Sequence, residues 1–253
     1  MTFESFGFMA TWRLIPPFCA CGSFQMALDS WLFEQHVQGQ HPPTLRFYTW
    51  EPVAISLGYH QRQFPEHWHT LAWEGVVLDL VRRPTGGRAV LHQGDLTYAV
   101  ITSGLSAHRQ QAYQQLCEFL IQGWRSLGIE LFYGAAGRGY IHNPNCFGTA
   151  TAADLVLANG FKFIGSAQLR RGDVVLQHGS MRLNQSPELF QAVFGVNPQT
   201  LTFPHLLTSN HELILDRLVE VATDYWGIDF LVQPLSAQEQ AEVTSKMAQF
   251  QAS

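Results

Sequence analysis

The stretch Ala153–Leu183, ADLVLANGFKFIGSAQLRRGDVVLQHGSMRL, constrains the fold more than any other. Its short apolar runs read as strands, and Asn159-Gly160 and Arg171-Gly172 supply the glycine turns of antiparallel hairpins. Such a run builds a sheet from strands adjacent in sequence, and the remaining chain must then cover that sheet.

Helical spacing supplies the cover. Phe24–Gln38 places Met26, Leu28, Trp31, Leu32 and Val37 roughly on one face. Ala107–Leu127 does the same with Tyr113, Leu116, Phe119, Leu120 and Trp124, and Gly128 ends it. Further strands are expected at LRFYTW and VAISLGY, separated by Glu51-Pro52, and at GVVLDLVRR, RAVLH, LTYAVIT and IELFYG. Ala135–Asn145 reads as an irregular loop, and the pattern turns helical after Pro187. The expectation is one α/β (α+β) domain over residues 1–253, a mixed or mainly antiparallel sheet with packed helices, whose part from 187 to 253 is helical.

Composition limits the function classes. Hydrophobic residues make up 46% of the chain and charged residues 14%, the balance of a folded chain with a substantial core. With 15 Lys+Arg against 20 Asp+Glu the net charge is −5, which argues against a nucleic-acid partner. No run approaches the ~18 apolar residues of a membrane helix, and no basic-then-apolar leader opens the sequence, so no membrane association is expected. Cys19, Cys21, Cys117 and Cys146 lack the spacing of a disulfide framework and are expected to be reduced thiols of a cytoplasmic protein.

Three places could carry chemistry. In VRRPTGGRAVLH, Gly86-Gly87 lets backbone N–H groups approach a ligand without a Cβ in the way, and Arg82, Arg83 and Arg88 add charged donors. The alternative is a hairpin turn with solvated arginines. Lys162 alternates with Phe161 and Phe163, so it either faces solvent or points into a cleft, where an ammonium can polarise a carbonyl. His178, in the QHG of the same run, reads as a hydrogen-bonded structural residue. Cys146, in the polar loop HNPNCFGTA, is more reachable than a helical thiol such as Cys117, and either an inert one or a nucleophile. The Cys19/Cys21 and His67/His69 pairs lack further ligands, and no metal site is expected.

Taken together, RRPTGGRAVLH, ISLGYHQ and GFKFIGSAQLRRGDVVLQHGS resemble the signatures of the biotin/lipoate protein ligase family, in the family's order, from about Met26 to Arg182. The resemblance implies the mixed α/β catalytic domain shared by biotin ligases and class II aminoacyl-tRNA synthetases. Gly-Gly-Arg in the first motif and Cys-Phe in the loop before the lysine are similar to the cysteine-dependent octanoyltransferase branch rather than to the ATP-dependent lipoate ligases. HQGDLTY lacks the family's His-Asp pair, and the chain after Cys146 is poor in bulky residues.

That resemblance implies roles. Cys146 would be the nucleophile and Lys162 would hold the thioester carbonyl. Arg82, Arg83, Gly86, Gly87, Arg88, His92, Gly165, Ser166, Gln168 and His178 would bind the substrate, with His92 orienting it. The donor would be octanoyl-acyl carrier protein and the acceptor a lysine on a lipoyl domain, such as glycine cleavage H protein. No cofactor is implied; ATP and Mg would enter only in a lipoate ligase. The same motifs also admit a lipoyl amidotransferase, or a non-catalytic relative that binds an acyl chain or a lipoyl domain. Arg170-Arg171 or Arg138 could form a rim for the acidic carrier.

Overall fold

An eight-stranded mixed sheet forms the centre of the molecule. The computed structural model describes residues 11–134, 154–198 and 211–252. In chain order its elements begin with β1 (Thr11–Ala20), α1 (Gly22–Val37), β2 (Thr44–Trp50) and β3 (Ala54–Leu57). Then follow β4 (Ala72–Trp73), β5 (Val76–Val77), β6 (Asp79–Arg82), β7 (Val90–His92), β8 (Asp95–Thr102) and α2 (Arg109–Ser126). Next are β9 (Phe132–Tyr133), β10 (Asp154–Val156), β11 (Lys162–Arg171), β12 (Val174–Arg182) and α3 (Pro187–Phe194). The last are α4 (His211–Trp226), β13 (Asp229–Val232) and α5 (Ala237–Thr244).

The main sheet runs β13-β1-β2-β8-β12-β11-β10-β9, and a smaller sheet runs β6-β3-β7. Within the main sheet only the β13/β1 and β1/β2 pairs are parallel, so the mainly antiparallel expectation holds. Period-two alternation decides which face each residue takes. On β8, Leu96, Tyr98 and Val100 join the core under α2 and α4, whereas Ala99 and Ile101 join the core under α1. The small sheet and α3 share a third core around Trp68.

Several boundaries differ from those expected. GVVLDLVRR is not one strand: Val76–Val77 pairs with Ala72–Trp73, and only Asp79–Arg82 enters the small sheet. The β11/β12 loop is Gly172-Asp173, since Arg171 pairs with Val174, and Gly172 takes φ +62°. The C-terminal part is not all helix. Asp229–Val232 adds to the main sheet beside β1, which the helical pattern of α4 overshadows. Strand β1 itself escapes alternation because Pro16-Pro17 lack N–H donors, and the β1/β2 register shifts between Ile15 and Phe18.

Arg13 of β1, 1% exposed, ties this edge together. Its guanidinium donates to both Glu239 carboxylate oxygens, at 2.6 and 3.0 Å, and to the carbonyls of Gln233 and Pro234. Burial alone would raise the Glu239 carboxyl, but hydrogen bonds from Arg13 and Ser236 bring it down to about 2. A carboxyl depressed in the folded state stabilises above its unfolded value of 4.5, and the gain is lost as pH falls from there toward about 2. Glu239→Gln is therefore expected to cost about 2 kcal/mol at pH 7 and to match wild type more closely near pH 2.5. Urea unfolding at the two pH values checks this.

Candidate active site

The arginine–glycine turn is braced from within. Arg83 extends its guanidinium to the Ser56 carbonyl at 2.7 Å and the Ser56 hydroxyl at 3.2 Å, and also donates to the carbonyls of Gly86 and Arg88. Arg82 clamps the carbonyls of Gly58 and Gln61. Gly87 sits at φ +99°, and a Cβ on Gly58 would lie 1.9 Å from the Gly87 carbonyl oxygen. Two glycines are needed for this close approach. Gly58→Ala is expected to cost about 3 kcal/mol and to displace the turn, which thermal unfolding measures.

Behind the turn lies a cavity of about 480 Å³, within the range of small-molecule sites. Arg83, Gly86, Gly87 and His92 line one side, and Lys162, Gly165, Ser166, Gln168 and His178 another. Arg82 and Arg88 are not among its lining residues. Their chain neighbours reach the cavity while Arg82 secures the Gly58–Gln61 loop and the Arg88 carbonyl secures Arg83. Cys146 lies outside the described residues.

Lys162 resolves its own ambiguity. Phe161 and Phe163 on either side are buried in the core, and Lys162 is itself only 4% exposed. Its Nζ lies 2.9 Å from Oδ1 of Asp154 on the neighbouring strand, and both residues line the cavity. A buried ammonium with a carboxylate beside it is an oriented donor, able to polarise an acyl oxygen.

The two histidines are buried in separate networks. His178 Nδ1 lies 2.7 Å from Asp29 Oδ2 and its Nε2 lies 2.6 Å from the Thr85 hydroxyl. Asp29 also accepts from Tyr48 and faces Arg46 at 3.5 Å. His92 Nδ1 lies 2.8 Å from Asp95 Oδ2 and its Nε2 lies 2.8 Å from the Ser56 hydroxyl. Asp95 accepts from Thr97 and Ser180 as well. Burial holds the His92 imidazole below its ordinary value of 6.5, although Asp95 pulls the other way. Sequence alone shows no His-Asp pair here, yet the turn at Gly94, φ +62°, brings Asp95 back onto His92.

On the far side, Tyr98 shares a hydrogen with Ser166 at 2.9 Å and accepts from Gln177, while Gln168 donates to Gln177. Gln177 also donates to Cys117, whose thiol burial pushes up to about 12. Cys117 therefore stays protonated and inert. Among the described residues, no group of three or more His, Cys, Asp or Glu is placed to hold a metal ion.

A family model described as the lipoyl protein ligase A/B catalytic domain matches residues 22–205. The chain belongs to this family. Octanoyltransferase LipM of Moorella thermoacetica is 31% identical to this lipoyl ligase family member over 263 residues, covering 96% of each chain. LipM of Bacillus subtilis is 39% identical over 188 residues, 69% of this chain and 66% of its own. A crystal structure of lipoate-protein ligase A bound with ATP superposes with a TM-score of 0.73 at 20% identity, covering 93% of this chain and 94% of the other. A putative lipoate protein ligase from T. acidophilum with bound lipoic acid gives 0.73 at 20%, covering 94% and 95%. The lipoate-ligase fold implied by the motifs is the fold observed.

Several residues of this family member's site were not singled out by sequence. Asp154 carries the one readable signal, an acid placed across a hairpin turn from Lys162. Asp29 interrupts an apolar helix face between Leu28 and Trp31, and Ser56 sits in a short apolar strand. Arg109 and Tyr113 of α2 line the cavity through tertiary packing alone.

Proposed function

We propose that this chain transfers an octanoyl group from acyl carrier protein to a lysine of a lipoyl domain, such as glycine cleavage H protein, through a thioester on Cys146. The observation that carries the reading is the buried Lys162–Asp154 pair in the wall of a cavity of small-molecule size. Octanoyl transfer is also what the names of its relatives describe.

The Cys146 thiolate attacks the carrier thioester, the carrier thiol leaves, and an octanoyl-enzyme remains. Lys162 donates to the acyl oxygen as negative charge develops there. The acceptor amine then attacks the enzyme thioester and forms an amide, and the sulfur leaves with the bonding electrons. Exchange of a thioester for an amide runs downhill, so this chemistry requires no ATP, no metal and no resident cofactor. Arg170-Arg171 is the expected rim for the acidic carrier. Arg171 is already paired with Glu34 at 2.6 Å and Arg170 donates to the carbonyls of Ser106 and Gly172.

The test is incubation with octanoyl-acyl carrier protein and a lipoyl domain, without ATP. Octanoylated lipoyl domain is the expected product. Product formed only from free octanoate or lipoate plus ATP would establish an ATP-dependent ligase instead. Product formed from a lipoylated or octanoylated domain alone would establish amidotransfer between domains.

A further inference from the structure

Two hydroxyl–imidazole–carboxylate chains reach the cavity through their histidines, Ser56–His92–Asp95 and Thr85–His178–Asp29, and their geometry is nearly the same. A carboxylate only accepts, so in each neutral ring Nδ1 carries the hydrogen and Nε2 accepts from the hydroxyl. Each hydroxyl proton is thereby aimed at an imidazole nitrogen. This is the arrangement in which a histidine takes a proton through a hydroxyl.

Access separates the two. Ser56 lines the cavity, whereas Thr85 does not, so a substrate amine can meet the hydroxyl of the first chain only. Among the described residues, His92 is the only ion-pair partner of Asp95. Protonating His92 sets its imidazolium directly against the Asp95 carboxylate, with the Arg83 guanidinium nearby. The Trp50 ring stacks on His92 with centroids 3.8 Å apart, a face that favours a cation. The groups facing His92 are Asp95 from β8, Arg83 from the turn after β6 and His178 from β12. The two cations or potential cations keep the resting ring neutral and able to accept.

On the reading of this chain as an octanoyltransferase, we propose that Ser56, His92 and Asp95 form the relay that deprotonates the attacking lysine in the second half-reaction. A lysine ammonium, ordinarily near 10.4, cannot attack at pH 7 until a base removes a proton. The ammonium proton passes to Ser56 Oγ as the Ser56 hydroxyl proton passes to His92 Nε2. The freed lone pair forms the C–N bond, the C–S bond breaks, and its electron pair leaves on the Cys146 sulfur. The second nitrogen proton is taken by that sulfur, and His92 returns its proton to solvent. Ser56 is thus the residue that touches the amine, and His92 and Asp95, which act through it, are positioning residues.

The relay predicts a nucleophile-specific defect. Octanoylated wild type, His92→Gln, Asp95→Asn and His178→Gln are each discharged at pH 7 by a lipoyl domain or by hydroxylamine, which is already neutral. His92→Gln is expected to lower the ratio of lysine to hydroxylamine discharge about 100-fold, Asp95→Asn to lower it in the same direction, and His178→Gln to keep the wild-type ratio. The deficit should shrink as pH rises and solvent supplies neutral lysine. Equal slowing of both nucleophiles, or an unchanged ratio, would overturn the relay. In the resting wild type, 15N imidazole signals are expected to show His92 neutral with hydrogen on Nδ1; hydrogen on Nε2 alone would overturn it independently. Failure of wild type to form any octanoyl-enzyme would instead refute the thioester reading on which the relay rests.

Discussion

Lys162→Ala is expected to lower octanoyl transfer about 10²–10³-fold, the cost of one oriented donor to a developing oxyanion. The expectation follows from where Lys162 stands. Its strand neighbours are core phenylalanines, its ammonium is 2.9 Å from Asp154, and both charges line the cavity. Burying two charges is costly in itself, and a surface lysine would do for solubility, so the pair is better explained by chemistry than by stability. Lys162→Ala also removes a cation from beside Asp154 and is expected to destabilise by about 3 kcal/mol. Adding Asp154→Asn should recover part of that stability without recovering turnover. Lys162→Arg should not restore the rate, because a planar fork cannot present a point charge at the same place. Transfer rates and urea midpoints for the three variants separate the chemical loss from the structural one. A Lys162→Ala enzyme with near-normal turnover would remove the lysine from the mechanism.

Asp29→Ala is expected to be the most damaging substitution to stability, at about 4 kcal/mol. Asp29 is fully buried on α1 and holds three elements at once: Arg46 and Tyr48 on β2, and His178 on β12. Removing it strands the Arg46 guanidinium in the core beneath α1, where, among the described residues, the other polar contact is the Gln25 side chain. For a chain of this length the loss corresponds to a melting temperature lower by roughly 10 °C. Asp29→Asn keeps the volume and one acceptor and should cost less. Burial, with Asp29 adjacent, holds the Tyr48 phenol far above its ordinary value of 10, so Tyr48 should not ionise before the protein unfolds in base. Absorbance titration checks this alongside thermal melts.

What was legible in the sequence was local. The Ala153–Leu183 meander and the faces of α1 and α2 follow from alternation and helical spacing, which need no knowledge of partners. Strand β13 was not legible, because four residues following a long helical pattern acquire their identity only by pairing with β1. The same division holds at the site. Gly86, Gly87, Lys162 and Ser166 stand in motifs and do line the cavity. Arg82 and Arg88 stand in the same motif, but the turn directs Arg82 to backbone carbonyls instead. Asp29 and Ser56 reach the histidines from another helix and strand, and nothing in spacing announces a contact made across the fold; Asp95 stands only three residues from His92, and it is the turn at Gly94 that closes the pair.

The thioester at Cys146 is the central claim, and intact-protein mass spectrometry tests it most directly. Wild type and Cys146→Ala are incubated with octanoyl-acyl carrier protein in the absence of ATP. One octanoyl adduct is expected on wild type, removed by hydroxylamine, and none on Cys146→Ala. An equal adduct on both proteins, or none on wild type while lipoyl domain is still octanoylated, would contradict the thioester.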